Sequence, residues 1–210
     1  MSTQFVREIA TEGQVSLTEL VQAGLSRHRA RHALRSLRAV RLARGLYRIP
    51  GVECSDEAIR SAVHRADGVL SHASAAAWWG LDVLVDPNSP QVTVGRHRSR
   101  PAPGALRREL ADDAVVGHRG LLVTAPIRTV IDCARTLPLV EAVVIADSAL
   151  RAKAITPDEL RAAARRCSRG PGAGRVRAVV DLTDEKCGSV LETLLRVLLV
   201  SNGLAPAATQ

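Results

Sequence analysis

Apolar and polar residues recur with a helical period over residues 16–38, and this pattern predicts two helices joined by a tight turn. The first helix begins at Ser16, because the Ser16 hydroxyl and the Glu19 carboxylate have the spacing of a capping box. The second helix follows Ser26, a favourable N-cap residue, and runs over residues 27–38. These few residues therefore predict a helix-turn-helix near the start of the chain.

The second predicted helix has an apolar side and a strongly basic side. At 100° per residue, Ala30, Ala33, Leu34 and Leu37 share one face and are expected to pack inward. The opposite face contains basic residues and no acidic residue. Like charges four residues apart repel each other, so such a face is expected only where a polyanion compensates its charge. The predicted DNA-contacting residues are Arg27, His28, Arg29, Arg31, His32, Arg35 and Arg38 in this helix, and Arg41, Arg44 and Arg48 in the hairpin that follows.

Two helices followed by a hairpin predict a winged helix-turn-helix, whose second helix enters the major groove while arginines of the wing contact phosphates. The alternative is an ordinary surface helix on a basic protein. His28 and His32 also have the i,i+4 spacing of metal ligands. No Cys or acidic residue lies near them and arginines surround them, so no metal site is predicted.

The composition narrows the choice of nucleic acid. The 210 residues have a net charge of +8, which favours polyanions in general. Only 2% of the residues are aromatic, so the stacking platforms that bind single strands are nearly absent and duplex DNA is favoured. No signal peptide, membrane-spanning run or CxxC pair is evident, which predicts a cytoplasmic protein with reduced thiols, no membrane contact and no cofactor.

The remaining pattern predicts an α+β protein in four parts. A winged helix-turn-helix occupies residues 1–50, and a mostly helical α+β region with a small sheet occupies residues 51–164. A Gly/Arg-rich linker follows at residues 165–174, and a helical segment occupies residues 175–210. In its last helix the leucine stripe Leu191, Leu194, Leu195, Leu198 and Leu199 must be covered, either by the α+β region or by a second copy in a homodimer.

Three further groups of residues are candidate sites. Arg96, Arg98 and Arg100 lie in a basic loop, which is either simply solvated or a second phosphate-contacting surface. His72 and Ser74 could suggest a nucleophile pair, but no acid orients the histidine and a packed alanine-rich helix explains them better. Asp132 has Arg128 four residues before it, a surface ion pair rather than a general acid. No catalytic residue is predicted.

Several segments together resemble one family. They are RGLYRI at the end of the winged unit, SHASAAAWWGL, a VTV strand with its basic loop, VTAPIRTVIDCAR, IADSALR and SVLETLLRVLL. This arrangement resembles the AbiEi-like antitoxins of type IV toxin–antitoxin systems, and the resemblance spans nearly the whole chain. It implies that the winged unit binds inverted repeats in its own promoter and represses it. It also implies that the region behind counteracts a co-encoded nucleotidyltransferase-like toxin.

Longer relatives of this arrangement continue into a nuclease domain similar to the very-short-patch-repair endonucleases. Ser189, Glu192 and Arg196 match its opening helix, although Val190 stands where Pro is usual. The strands that would carry the metal-binding acids would lie beyond Gln210, and metal-assisted hydrolysis needs those acids. The chain is therefore expected not to be an enzyme, with a truncated, catalytically silent member of that nuclease family as the alternative. A pure interaction module is a third possibility.

Overall fold

Helices dominate the computed structural model, which describes residues 2–10, 13–43, 45–49, 55–84, 90–96, 105–167 and 169–204. Short strands form both parallel and antiparallel pairs, so the class is α+β, as predicted. The elements in chain order are α1 (Ser2–Ile9), β1 (Gln14–Ser16), α2 (Leu17–Gln22), α3 (Arg27–Ser36), β2 (Val40–Ala43), β3 (Leu46–Arg48), α4 (Asp56–Ala66), β4 (Val69–Leu70), α5 (His72–Trp78), β5 (Val92–Val94), β6 (Leu106–Arg107), a 3₁₀ turn (Asp112–Ala114), β7 (Val115–His118), β8 (Leu121–Thr124), α6 (Pro126–Thr136), α7 (Leu139–Arg151), α8 (Pro157–Arg166), α9 (Ala173–Leu182) and α10 (Val190–Ser201).

Contacts divide the chain into two interleaved units. The first comprises Met1–Val69 and Pro87–Leu110, and the second comprises Leu70–Asp86 and Ala111–Gln210. This division differs from the four predicted parts, because α8, α9 and α10 belong to the same unit as α6 and α7. Residues 165–166 and 173–174 of the predicted Gly/Arg-rich linker belong to α8 and α9, two helices of the same unit that pack on each other.

The first unit begins with three helices and a three-stranded antiparallel sheet in the order β1-β3-β2. The capping box is present, since Ser16 Oγ accepts from the Glu19 N–H at 3.0 Å and the Glu19 carboxylate accepts from the Ser16 N–H at 2.7 Å. Gly24 has a φ of +98°, the left-handed conformation expected after α2. The core is formed by Val6, Val15, Leu20, Ala30, Ala33, Leu34 and Ile49.

This order of elements is the one expected for a winged helix-turn-helix, with one strand more than the two-stranded wing that the sequence suggested. The additional strand β1 has only three residues and pairs with β3 through Val15 and Tyr47. Its single buried residue, Val15, gives almost no alternation from which a strand can be predicted.

The rest of the first unit contains α4, β5 and β6. Ser55 caps α4 by accepting from the Ala58 N–H at 3.2 Å. β5 pairs in parallel with β6. Gly68 lies so close to β5 that a Cβ at this position would come within 2.7 Å of a Val92 methyl and 2.8 Å of the Thr93 carbonyl oxygen. Only glycine therefore allows the chain to pass from α4 into the sheet here.

In the second unit β8 pairs in parallel with β4 and antiparallel with β7. The alanine-rich helix α5 packs against α6 and β8, and all of its residues except Ala77 are buried. α6 and α7 pack on each other, α9 packs on both, and α10 packs on α7. Their shared core includes Val130, Val143, Ile145, Ala146, Val176, Val179 and Val197.

Most of the leucine stripe of α10 faces outward, so the α+β region does not cover it as the first of the two alternatives required, and pairing with a second copy stays a prediction. Leu191, Leu195 and Leu198 are 76%, 56% and 60% exposed. The buried side of α10 consists of Thr193, Arg196 and Val197, whereas Leu194 and Leu199 are half-buried. The two polar residues lie inside because the buried carboxylate of Asp147 on α7 bonds both of them.

Candidate nucleic-acid interface

The local sequence fixes both the start and the rotation of α3. Ser26 Oγ accepts from the Arg29 N–H at 3.3 Å and caps the helix. Ala30 and Ala33 are at most 1% exposed and Leu34 is 3% exposed, so the apolar face packs into the core as predicted. Because an α-helix is rigid about its axis, this packing forces the opposite face into solvent.

That outward face is exposed and basic throughout. The exposed side chains are Arg27, His28, Arg29, Arg31, His32, Arg35, Ser36 and Arg38. None of its arginines has an ion pair with an acidic side chain in the part of the chain that the structure describes. Their charges are therefore uncompensated within the described protein and available to an external anion.

The residues that follow α3 are only partly suited to the predicted wing contact. Arg38 has a φ of 51° and turns the chain out of the helix. Arg41 on β2 is exposed, but Arg48 on β3 is only 1% exposed and lies beside the core, so it is left out of the candidate interface. The prediction for Arg48 rests on its place as one of three arginines, with Arg41 and Arg44, spaced along the hairpin. Arg44 lies outside the described residues.

Of the three arginines predicted to form a second basic surface, only Arg96 lies among the described residues. Arg96 follows β5 and is exposed. Arg98 and Arg100 lie outside the described residues, so their part of this prediction remains a prediction.

The residues considered for catalysis lie in packed or capping positions. His72 is 2% exposed with its Nδ1 3.0 Å from the Ser71 hydroxyl, and Ser74 is 3% exposed. Asp132 pairs with Arg128 at 2.8 Å, as expected, although its carboxylate is buried rather than on the surface. Glu192 accepts from the Gly188 N–H at 2.9 Å and the Ser189 hydroxyl at 3.0 Å, which lowers its pKa. Glu192 therefore caps α10.

Sequence reasoning missed the polar cluster that fastens α10. Asp147 accepts from the Thr193 hydroxyl at 2.7 Å, from the Asp184 N–H at 2.9 Å, and from the Arg196 guanidinium. Burial raises the pKa of Asp147, whereas these donors act in the opposite direction. The signal in the sequence is the i,i+3 spacing of Thr193 and Arg196, which places two polar residues on one face of a leucine-rich helix.

A second polar cluster on α7 binds Asp82, which lies in the segment after α5. The Asp82 carboxylate accepts from the Arg151 guanidinium and, at 3.0 Å, from the Ser148 hydroxyl. Arg151 also donates to the Cys187 carbonyl at 3.2 Å. Ser148 and Arg151, two polar residues of IADSALR on α7, thus bind the segment that contains Asp82, and Arg151 also binds the segment that contains Cys187. Their role is structural.

Two absences concern only the described part of the chain. None of its helices is long and apolar enough to cross a bilayer. Its histidine, cysteine and carboxylate side chains nowhere form a group of three able to hold a metal ion.

Comparisons with known proteins bear mainly on the second unit. Residues 66–182, more than half of the chain, match the family model described as the AbiEi antitoxin C-terminal domain. No curated protein matches the chain. The crystal structure of the RV2827C protein from Mycobacterium tuberculosis is 18% identical and aligns over 94% of this chain and 79% of that chain. Its TM-score of 0.41 is too low to establish a common fold.

Proposed function

The chain belongs to the AbiEi antitoxin family, and from this we propose that it is a DNA-binding antitoxin that represses its own promoter. In this proposal residues 1–50 act as a winged helix-turn-helix on duplex DNA. The α+β region behind them counteracts a co-encoded nucleotidyltransferase-like toxin of a type IV system. The role is regulatory and non-catalytic.

One observation supports DNA binding above all others, the exposed and acid-free face of α3. A face of like charges destabilises an isolated helix, so the presence of such a face on α3 favours a polyanionic partner. In helix-turn-helix proteins the second helix lies in the major groove, where arginine can donate two hydrogen bonds to guanine. Arg31 and Arg35 lie four residues apart on the exposed face, Arg31 midway along α3 and Arg35 in its last turn, and we assign that contact to them.

The antitoxin activity is assigned to the second unit, because that unit contains most of residues 66–182. An antitoxin acts by binding or opposing its toxin, and neither action requires a catalytic group. The positions of His72, Asp132 and Glu192 are consistent with a non-catalytic role, since all three serve packing, pairing or capping.

The decisive experiment measures binding of the full chain to a duplex containing the inverted repeats of its own promoter. We expect the logarithm of the affinity to fall linearly with the logarithm of salt concentration, with a slope of about −0.9 per phosphate contacted. The double variant Arg31→Ala/Arg35→Ala should lose most of the preference for the promoter over a scrambled duplex. Its unfolding midpoint should change little, because both side chains are exposed.

A charge-matched control removes two exposed arginines elsewhere in the first unit, Arg7→Ala and Arg65→Ala. It should retain the preference for the promoter duplex. If the Arg31 and Arg35 variant binds the promoter as the unmodified chain does, α3 is not the recognition helix.

An inverted-repeat site also suits a two-fold symmetric protein, and we assign the exposed leucine face of α10 to a second copy of the chain. Leu191, Leu195 and Leu198 follow the i, i+4, i+7 spacing of a helix–helix seam. The two charged residues of α10, Glu192 and Arg196, are both engaged within the chain. The three exposed leucines carry no charge, and the carboxylate of Glu192 beside them is held by hydrogen bonds from the Gly188 N–H and the Ser189 hydroxyl.

Sedimentation tests this pairing. We expect a concentration-dependent dimer that is lost in Leu195→Glu/Leu198→Glu. A control charge at Leu122, which is 54% exposed on β8, should leave the dimer intact. A monomer at all working concentrations would exclude pairing through α10 while leaving the DNA-binding proposal untouched.

A further inference from the structure

The hairpin formed by α8 and α9 exposes five arginines at its connecting end. Arg165 and Arg166 lie in the last turn of α8, Arg169 lies in the connection, and Arg175 and Arg177 lie on α9. All five are exposed, whereas Leu160, Ala163, Val176 and Val179 turn the other sides of the two helices into the core. We call these five residues the α8–α9 arginine surface.

Charge is strongly polarised along this hairpin. Residues 160–180 contain no acidic residue, and the nearest acids are Asp158 and Glu159 at the start of α8 and Asp181 near the end of α9. The start of α8 lies beside the end of α9, since Pro157 and Leu160 line one small cavity of about 180 Å³ together with Val180 and Thr183. The acids therefore lie at the opposite end from the arginine surface.

A neighbouring arginine shows what a locally compensated charge looks like here. Arg161, one turn before Arg165 on α8, pairs with Asp158 at 2.9 Å. The five residues of the arginine surface have no such ion pair with any acid in the part of the chain that is described.

Helix stability accounts for only part of this arrangement. Arg165 and Arg166 near the C-terminus of α8 interact favourably with the helix dipole. Arg175, in the first turns of α9, has the opposite placement, because the N-terminus of a helix carries partial positive charge. The first turn of α9 contains no acidic residue to offset it. An external anion would compensate the positive charge of Arg175 at this helix end.

The neighbouring surface favours a nucleic-acid backbone over a protein. Protein interfaces usually have an apolar or aromatic centre within a polar rim. The described residues between 157 and 182 expose no large apolar side chain, and of the apolar residues that line a cavity with Arg175 only Leu139 is exposed, at 37%. Arginine and glycine at a helix connection, without apolar anchors, are suited to phosphate oxygens, which accept the two parallel hydrogen bonds of a guanidinium.

We propose that the α8–α9 arginine surface binds the phosphate backbone of duplex DNA and adds affinity without reading sequence. The proposal rests on the proposed DNA-binding function but concerns different residues, in the second unit. It gives the antitoxin region a direct share in holding DNA. Contacts of this kind position a protein and strengthen its salt dependence, whereas contacts to base edges specify the site.

The test compares full-length variants on the promoter duplex and on a scrambled duplex of equal length, over a series of salt concentrations. In Arg165→Ala/Arg166→Ala/Arg169→Ala we expect affinity to fall by a similar factor on both duplexes. The salt slope should become shallower by about 0.9 for each phosphate that the variant no longer neutralises. The preference for the promoter duplex should remain, in contrast to Arg31→Ala/Arg35→Ala, which should lose it.

Net charge alone also influences affinity. The control variant Arg7→Ala/Arg65→Ala/Arg161→Ala therefore removes an equal number of arginine charges from positions outside this surface. Its salt slope should stay close to that of the unmodified chain. An unchanged slope and affinity in the Arg165, Arg166 and Arg169 variant would overturn this proposal, even with α3 confirmed. Equal promoter preference in the α3 variant, with a reduced slope here, would overturn recognition by α3 and leave this surface in place.

Discussion

The guanidinium of Arg196 on α10 bonds the carboxylate of Asp147 on α7, and both side chains are buried. Thr193, one turn before Arg196, donates to the same carboxylate at 2.7 Å. Arg196 also donates to the carbonyl of Leu182 at the end of α9. The Asp147 carboxylate therefore fixes the rotation of α10, and Arg196 ties the helix to both α7 and the end of α9. This rotation places Leu191, Leu195 and Leu198 in solvent.

Removing the carboxylate should be costly. Asp147→Ala leaves Arg196 buried without its acid, and breaking a buried pair in this way costs about 3–5 kcal/mol of unfolding free energy. The double variant Asp147→Ala/Arg196→Met should be less destabilised than the single variant, because no buried charge remains. Urea unfolding of the single variants and the double variant measures the coupling, and a decrease below about 1 kcal/mol for Asp147→Ala would show that the pair is not buried.

The rotation of α10 can be tested by substituting adjacent residues. Val197 is 1% exposed, so Val197→Ala should lower the unfolding free energy by about 1–3 kcal/mol through the cavity it creates. Leu198 is 60% exposed, so Leu198→Ala should change it by about 0.5 kcal/mol or less in a dilute sample. Chemical unfolding at low protein concentration makes the comparison. A larger loss of unfolding free energy in Leu198→Ala than in Val197→Ala would mean that the leucine side of α10 packs against the protein.

Capping of α10 by Glu192 should depend on pH. Hydrogen bonds from the Gly188 N–H and the Ser189 hydroxyl hold the pKa of this exposed carboxylate below its usual value of 4.5. The ionised form is thus favoured by folding, and its contribution is present above pH 4.5 and lost as the pH falls through the lowered pKa. The difference in unfolding midpoint between the unmodified chain and Glu192→Gln should accordingly be larger near neutral pH than in strong acid. A difference that grows toward acid pH would contradict this role.

Trp79, directly after α5, should stabilise the packing of α5 on the β7–β8 hairpin. The Trp79 ring stacks on the His118 ring with centroids 4.0 Å apart, and its Nε1–H donates to the Thr124 carbonyl at 3.0 Å. Trp79→Leu should remove both contacts, at a cost of about 1–3 kcal/mol. Proton NMR provides an independent measurement, because stacking should shift the His118 ring protons upfield in the unmodified chain. Unshifted ring protons there would mean that the two rings do not stack.

Sequence predictions were most accurate where the responsible interaction spans three or four residues. The capping box at Ser16, the N-cap at Ser26 and the inward face of α3 are all confirmed. In each case a side chain bonds a backbone group less than one turn away, or an apolar stripe has only one face to offer. The exposure of Arg31 and Arg35 follows from these local facts alone.

What only the tertiary structure decided depends on partners far along the chain. Arg48 is buried and α10 turns its polar side inward, although the local pattern in each case indicated the reverse. Hydrophobic periodicity assumes that polar groups face water, and it fails when a distant residue such as Asp147 supplies a buried partner. The two-residue strands β4 and β6 are likewise too short to show a period, so pairing with their neighbours defines them. The sequence by itself determined the basic helix and its caps, and long-range pairing determined which faces the remaining helices expose.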